Sequence, residues 1–192
     1  MELLEAIGTR RSVRMYRPDP ISRDLLEELL QAACWAPSAD NAQPWYLVAL
    51  TDPEELAALR ADMEQVAGEV RPHLERMFPG YPQVVRDTTR FLRCLGNAPA
   101  LVLIFLQHPD YPVNRDGMVE SCAAAVQNLL LTAHARGLGA CWVNAAAGTA
   151  CGRELQRRYA PGRGEFLSMV TLGWPEKTPS PPARKPGRWV IR

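Results

Sequence analysis

Apolar residues along this chain recur with a helical period in some segments and form short continuous runs in others. Apolar side chains repeat every three to four positions in 25–33, after Ser22, a residue type that caps helices. This pattern predicts a helix that ends before Pro37. The sequence Asp52-Pro53-Glu54-Glu55 combines a cap, an early proline and acidic residues in the first turn. We expect it to start a helix that extends to about Val70.

The continuous apolar runs predict the strands of one sheet. Residues 99–106 are apolar on both faces, as expected for a central strand with helices on each side. Further strands are predicted at 45–50, 140–144 and 166–172. A chain of 192 residues is long enough for one well-packed domain, so we expect residues 1–192 to form a single domain.

The segment from 118 to 135 is predicted to be a helix that is apolar nearly all round. Such a helix must be buried on every side, either within the domain or against a second subunit, and both alternatives remain open. Its apolar run is too short and too interrupted to span a membrane. Further helices are predicted at 1–8 and from a cap near Thr149 to about Tyr159.

Two segments are rich in proline. Residues 72–84 are predicted to be a loop, followed by a helical stretch at about 85–95. The tail from Trp174 onward is either disordered or an extended arm on another surface, and the apolar end Trp189-Val190-Ile191 favours the arm.

Composition excludes several classes of function. The 22 basic and 21 acidic side chains give a net charge of +1, which argues against a nucleic-acid or anionic-membrane partner. The five cysteines include no C-x-x-C pair, and the three histidines lack ligand spacing, so neither a disulfide framework nor a metal site is expected. The acidic, amphipathic start is unlike a signal peptide and predicts a cytoplasmic protein. Without a nucleophile or phosphate-loop motif, any redox chemistry is expected from an organic cofactor.

Two polar segments carry the candidate chemistry. In an extended segment, Arg10, Ser12 and Arg14 alternate onto one face, and guanidinium forks bind phosphate oxygens in pairs. The alternative is an exposed basic turn. The second segment, residues 36–45, is dense in small hydrogen-bonding side chains and too irregular for a helix or strand.

In order, the chain contains R-R-S-V-R, then P-S-A-D-N-A-Q-P-W, then Q-N-L-L-L-T-A-H-A-R-G-L-G-A-C-W-V-N, then L-G-W-P and a proline-rich arm. Together these motifs resemble the FMN-dependent nitroreductase family over nearly the whole chain. The resemblance implies an α+β fold, a three-layer α/β/α sandwich with a mixed, mostly antiparallel sheet. It also implies a homodimer that binds FMN at the subunit interface, with each C-terminal arm wrapping the partner.

The resemblance also implies roles for particular residues. Those that match the motif for the FMN phosphate and ribityl chain are Arg10, Arg11, Ser12 and Arg14. Those that match the loop reaching the flavin from the other subunit are Pro37, Ser38 and Asn41. Those whose backbone N–H groups match positions facing flavin N5 and O4 are Asn144 and Ala145. In the tail, the positions that resemble the family's phosphate-binding cations are Arg184 and Lys185.

Each assignment has a simpler alternative. Pro37 is also a natural helix stop, Ser38 and Asn41 are common turn residues, and the tail cations could serve only solubility. The chain departs from the family where Ala39 and Asp40 replace a serine and a threonine. Trp45 and Trp142 are predicted to be core residues.

The family implies hydride transfer from NAD(P)H through flavin N5 to an acceptor such as a nitroaromatic or quinone, with ping-pong kinetics. Alternatives are a specialised branch of the superfamily (flavin destruction, dehalogenation or azoline dehydrogenation) and a non-catalytic protein that stores or senses FMN. In the family, an amide or lysine commonly contacts the flavin pyrimidine, where this chain aligns Phe91 and Cys94, with Arg90 or Arg93 as the alternative contact. The segment 72–95 matches no subgroup, so the acceptor is not specified.

Overall fold

The computed structural model describes residues 1–192 and contains six helices and four strands. The helices are α1 (Leu3–Thr9), α2 (Arg23–Cys34), α3 (Pro53–Met77), α4 (Pro82–Cys94), α5 (Arg115–Ala135) and α6 (Ala150–Tyr159). The strands are β1 (Trp45–Leu50), β2 (Ala100–Leu106), β3 (Gly139–Val143) and β4 (Glu165–Gly173). All four strands lie where the apolar runs predict them.

The strands form one sheet in the order β1-β2-β4-β3, and each neighbouring pair is antiparallel. A parallel bridge joins Ser12 to Ala140 beside β3, which makes the pairing mixed but mostly antiparallel. The N-terminal arginine segment therefore lies along one edge of the sheet.

Helices cover both faces of the sheet. All seven residues of β2 are buried, and they alternate between two cores. Leu103 and Phe105 belong to the core shared with α3, α4 and α6, whereas Val102 and Ile104 face α2 and α5. The predicted α+β sandwich is confirmed.

The prediction for the proline-rich segment at 72–84 is wrong. Helix α3 continues through Pro72 to Met77, and α4 starts at Pro82, so only residues 78–81 connect them. Leu74 is 8% exposed. Burial of this side chain, together with the packing of α3 against α4, explains why the helix persists beyond a residue that weakens it.

Two apolar segments remain partly open in the single chain. Helix α5 buries one side, but Ala123, Ala124 and Leu131 are only half-buried, which leaves the subunit-interface alternative standing. In the tail, residues 176–192 are all exposed, including Trp189 at 82%. No helix combines the length and apolar character that a membrane crossing requires.

The two predicted core tryptophans differ. Trp45 is buried, as predicted, whereas Trp142 is 41% exposed, so that prediction is wrong. Trp142 lies on β3, one of the two edge strands of the sheet, and Cys141 and Val143 on either side of it are buried.

Candidate anion-binding site

Backbone hydrogen bonds attach the arginine segment to the edge of the sheet. The N–H of Val13 donates to the carbonyl of Ala140 at 3.0 Å, and the N–H of Tyr16 donates to Gly96 at 3.3 Å. The segment is thus positioned by the β3 edge on one side and by the turn after α4 on the other.

This close approach depends on glycine. A Cβ at Gly139 would lie 2.8 Å from the Cβ of Val13. Gly96 has a φ of +65°, and a Cβ there would lie 2.5 Å from the carbonyl oxygen of Arg14. Both positions therefore require a residue without a side chain.

The hydroxyl of Tyr16 fixes the end of the arginine segment by hydrogen bonds. Its hydroxyl donates to the carbonyl of Val13 at 2.6 Å and lies 2.7 Å from the hydroxyl of Thr171. Burial raises the pKa of Tyr16, so the ring remains a neutral hydrogen-bond donor.

The arginines at this edge form a cluster of like charge. The pKa of half-buried Arg10 is lowered, chiefly by burial and further by the guanidinium groups of Arg11 and Arg184. The ion pairs of the chain involve other arginines, so Arg10, Arg11 and Arg184 have no carboxylate partner. Three neighbouring cations without a counter-charge fit a polyanionic ligand.

Arg11 supplies the sharpest indication of a missing acceptor. Its Nη1 donates to the carbonyls of Gly8 at 2.9 Å and Arg10 at 2.6 Å, whereas its buried Nε has no partner. Buried donors in folded proteins are almost always satisfied. A phosphate oxygen beside this group would satisfy it.

Arg14 points to a different environment from Arg10. Its Cζ lies 5.7 Å from the centre of the Phe91 ring, and both residues line a cavity of about 680 Å³ beside α4. Arg90 also lines this cavity, whereas Arg93 pairs with Glu64 at 2.9 Å across α3 and α4. The cavity has the size of small-ligand pockets.

Cys141 lies beneath the arginine segment and is inert. The pKa of its thiol is raised by burial, which outweighs the opposing influence of Arg14, Ser12 and Arg10. The neutral thiol is a poor nucleophile, so covalent catalysis is not expected here.

The Pro37–Asn41 loop is held in a strained conformation. Asp40 and Asn41 have φ angles of 50° and 53°, a region that side chains rarely adopt. The Ser38 hydroxyl accepts from the N–H of Gln43 at 3.1 Å, and the N–H of Ala39 donates to the hydroxyl of Ser121 at 3.0 Å. Such overdetermined strain is typical of ligand-binding loops.

This loop and the arginine segment of the same chain lie far apart. The loop contacts Ser121 near the start of α5, whereas Thr9, next to Arg10, contacts His134 at its end, at 2.8 Å. The separation of 134 − 121 = 13 residues, at about 1.5 Å of rise each, is about 20 Å. One chain therefore does not bring its predicted phosphate and loop residues together.

The remaining predicted residues differ in their surroundings. Asn144 and Ala145 follow β3, and the backbone N–H of neither residue donates to another group of the chain. Arg184 and the adjacent Lys185 are both exposed, and the charge of Arg184 lowers the pKa of Arg10. Thr9 and His134 could not be identified from the sequence, because a single threonine and a single histidine form no motif.

The sandwich fold and the unpaired guanidinium groups at the sheet edge describe an α+β protein with a candidate site for an anion. The family model described as Nitroreductase family matches residues 7–174 of this chain. The chain belongs to the nitroreductase family, as its sequence motifs predict.

Relatives of known name span nearly the whole chain. A protein of Archaeoglobus fulgidus, provisionally named NADH dehydrogenase/NAD(P)H nitroreductase, is 28% identical over 91% of this chain and 86% of its own. The 5,6-dimethylbenzimidazole synthase of Rhodobacter capsulatus is 30% identical over 97% of this chain and 90% of its own. The crystal structure of a Bacteroides fragilis nitroreductase with bound FMN is 25% identical, covers 100% of this chain and 99% of its own, and has a TM-score of 0.77.

Proposed function

We propose that this protein is an FMN-dependent NAD(P)H oxidoreductase that acts as a homodimer, with residues 1–192 forming one FMN-binding domain. The observation that carries the proposal is the unpaired cluster of Arg10, Arg11 and Arg184, with the buried Nε of Arg11 lacking an acceptor. The FMN bound by the Bacteroides fragilis nitroreductase supports the same cofactor here.

The cluster suits an FMN phosphate in charge and in number of donors. A phosphate monoester carries about two negative charges near neutral pH, and each charge-assisted hydrogen bond contributes about 1.5–3 kcal/mol. Arg10 and Arg11 would bind it from the sheet edge, with the Ser12 hydroxyl beside them. Arg184 and Lys185 would add tail cations to the same phosphate.

A second copy of the chain completes the site. The two points of α5 that contact the Pro37–Asn41 loop and Thr9 are about 20 Å apart in one chain, which favours a loop from the partner as the one that reaches the flavin. The half-buried residues of α5 and the exposed apolar tail offer surfaces for that contact. The arm of each chain would then wrap the other subunit.

Other residues would orient the flavin and adjust its electronics. When bound, FMN would supply the hydride chemistry at N5, with NAD(P)H as donor and a compound such as a nitroaromatic or quinone as acceptor. The unused backbone N–H groups of Asn144 and Ala145 would donate to the ring near N5 and O4. Arg14, fixed over Phe91, would favour the negative charge that reduction places on the pyrimidine.

The electron donor is proposed on the strength of the Archaeoglobus fulgidus relative, whose name includes NADH and NAD(P)H. Because donor and acceptor share one flavin face, ping-pong kinetics follow. The five free cysteines fit a reducing compartment, and we propose a cytoplasmic location.

The test is the colour and the reduction of the purified protein. We expect a yellow dimer with FMN absorbance that bleaches within seconds when NADH or NADPH is added without oxygen. Double-reciprocal plots of initial rate against NADH or NADPH concentration, measured at several concentrations of a quinone acceptor, should give parallel lines. A colourless protein would contradict the cofactor, and a bound flavin inert to both nucleotides would indicate FMN storage instead of catalysis.

A second candidate function is flavin destruction, which the 30% identity to 5,6-dimethylbenzimidazole synthase favours. The two functions differ in the fate of the flavin. An oxidoreductase regains its full flavin absorbance when air is admitted after reduction. A synthase loses it permanently and releases 5,6-dimethylbenzimidazole, which chromatography detects.

A further inference from the structure

A histidine at the end of α5, His134, is hydrogen-bonded to Thr9, the residue before Arg10. The hydroxyl of Thr9 donates its single proton to the carbonyl of Glu5 at 2.6 Å. The same oxygen lies 2.8 Å from Nε2 of His134, so it must accept there. Nε2 therefore carries a proton, and only Nδ1 is free to take up another.

The charge near His134 depends on whether a phosphate is bound beside the arginines. The pKa of His134 is lowered, first by burial and then by Arg10 and Arg11, while Glu5 of α1 raises it. At the same end of α5, Arg136 is paired with Glu28 of α2, so this ion pair adds little net charge. A dianion that neutralises the two arginines removes the repulsion that disfavours the imidazolium.

Two further features favour the charged ring once the anion is bound. His134 lies in the last turn of α5, where the helix dipole stabilises a cation. The hydrogen bond to Thr9, the residue before Arg10, keeps the ring beside the arginine segment.

We propose that Thr9 holds His134 beside the phosphate site, and that His134 takes up a proton from solvent at Nδ1 when a phosphate binds the neighbouring arginines. The inference rests on the proposed FMN function. His134 is a positioning residue that acts through the arginines, and it makes cofactor retention depend on pH. The complex holds this proton more tightly than the free protein does, so the pKa of His134 is higher with FMN than without it. FMN affinity therefore falls as the pH rises from the lower of these two pKa values to the higher.

The experiment follows FMN release on dilution of the holoprotein, by flavin fluorescence, from about pH 5.5 to about pH 8. In His134→Gln, the amide can still donate to Thr9 but cannot titrate. We expect the FMN dissociation constant of the wild type to rise about 3- to 10-fold more across this range than that of His134→Gln. A difference of one unit between the pKa of His134 with and without FMN corresponds to a tenfold change in affinity. The ionisation of the phosphate itself, with a pKa of about 6, affects both proteins equally. His73→Gln, a change at an exposed histidine of α3, should behave as the wild type does.

Identical pH profiles for the wild type and His134→Gln would overturn the proposal, whereas the absence of bound FMN would overturn the proposed function itself. A second measurement covers the case in which His134→Gln does not fold. The NMR titration of His134 in the wild-type protein should give a higher pKa with FMN than without it. An unchanged or lower pKa in the complex would contradict proton uptake.

Discussion

The two segments that supply cations to the candidate phosphate site are held in opposite ways. Residues 10–16 are bonded to β3 and to the turn after α4, and Tyr16 is buried. The tail residues 176–192 are exposed throughout, although the charge of Arg184 lowers the pKa of Arg10. Cations on a fixed backbone need no ordering when the ligand binds, whereas a cation on an exposed tail must be ordered first. We therefore expect the edge segment to account for most of the affinity, and the tail for less until a partner covers it.

The largest effect should come from removing cations of the fixed segment. Arg10→Ala combined with Arg14→Ala should give a folded protein that loses FMN on dilution. Arg10 would lose its contact with the phosphate and Arg14 its contact with the flavin pyrimidine. Two charge-assisted contacts at about 1.5–3 kcal/mol each imply a loss of affinity of at least about 100-fold. The measurement is flavin retention after gel filtration, with circular dichroism to verify folding.

Arg76→Ala combined with Arg86→Ala is the matched control, because it removes the same charge from exposed positions of α3 and α4. Retention of FMN by the Arg10/Arg14 double variant at the wild-type level would show that these two arginines do not bind FMN.

A smaller loss should follow from displacing the segment without changing its charges. Gly139→Ala places a Cβ 2.8 Å from the Cβ of Val13, so the segment must move away from β3. We expect a loss of about 1–3 kcal/mol in stability and about tenfold weaker FMN binding. Urea denaturation and fluorescence titration measure the two effects.

Gly68→Ala serves as its control. A Cβ at this position meets nothing within 4 Å, and alanine in a helix is favourable. If Gly139→Ala bound FMN as well as Gly68→Ala does, the fixed backbone would not be the source of affinity.

The tail should contribute less than the edge. Arg184→Ala should weaken FMN binding about 3- to 5-fold, an effect that moderate salt removes, because exposed charges are screened. Arg188→Ala, four residues further along the same exposed tail, should have no effect. A loss with Arg184→Ala that equals that of the Arg10/Arg14 double variant would reverse the ranking of the two segments.

The smallest expected effect comes from the hydrogen bonds of Tyr16 at the end of the arginine segment. Tyr16→Phe removes the hydrogen bond to the Val13 carbonyl and the contact with Thr171, and should destabilise the protein by about 1 kcal/mol. FMN affinity should fall only about twofold, since the backbone bonds to the sheet remain. Denaturation midpoints of the FMN-free protein measure the first effect, and an unchanged midpoint would show that Tyr16 does not hold the segment.

The sequence predicted features that depend on local pattern. All four strands and the edges of α2 and α6 follow from apolar runs and capping residues, and the family follows from motifs that cover nearly the whole chain. Where tertiary packing overrides a local signal, the prediction failed. Pro72 is a helix breaker by type, yet the buried Leu74 keeps α3 intact beyond it.

The site was predictable in its residue types but not in its arrangement. The alternation in Arg10, Ser12 and Arg14 indicated an anion site, yet pattern alone could not show that Arg14 lies over Phe91 in a separate cavity. The contact between Thr9 and His134 joins residues 125 positions apart, and no short-range pattern encodes such a pair.

The central claim is that the edge arginines bind the phosphate of FMN, and the comparison of FMN with riboflavin tests it most directly. The two molecules share the ring and ribityl chain and differ only in the phosphate. Titration of the cofactor-free protein with each should show FMN binding at least about 100-fold more tightly, as two charge-assisted contacts imply. Equal dissociation constants for FMN and riboflavin would contradict the account.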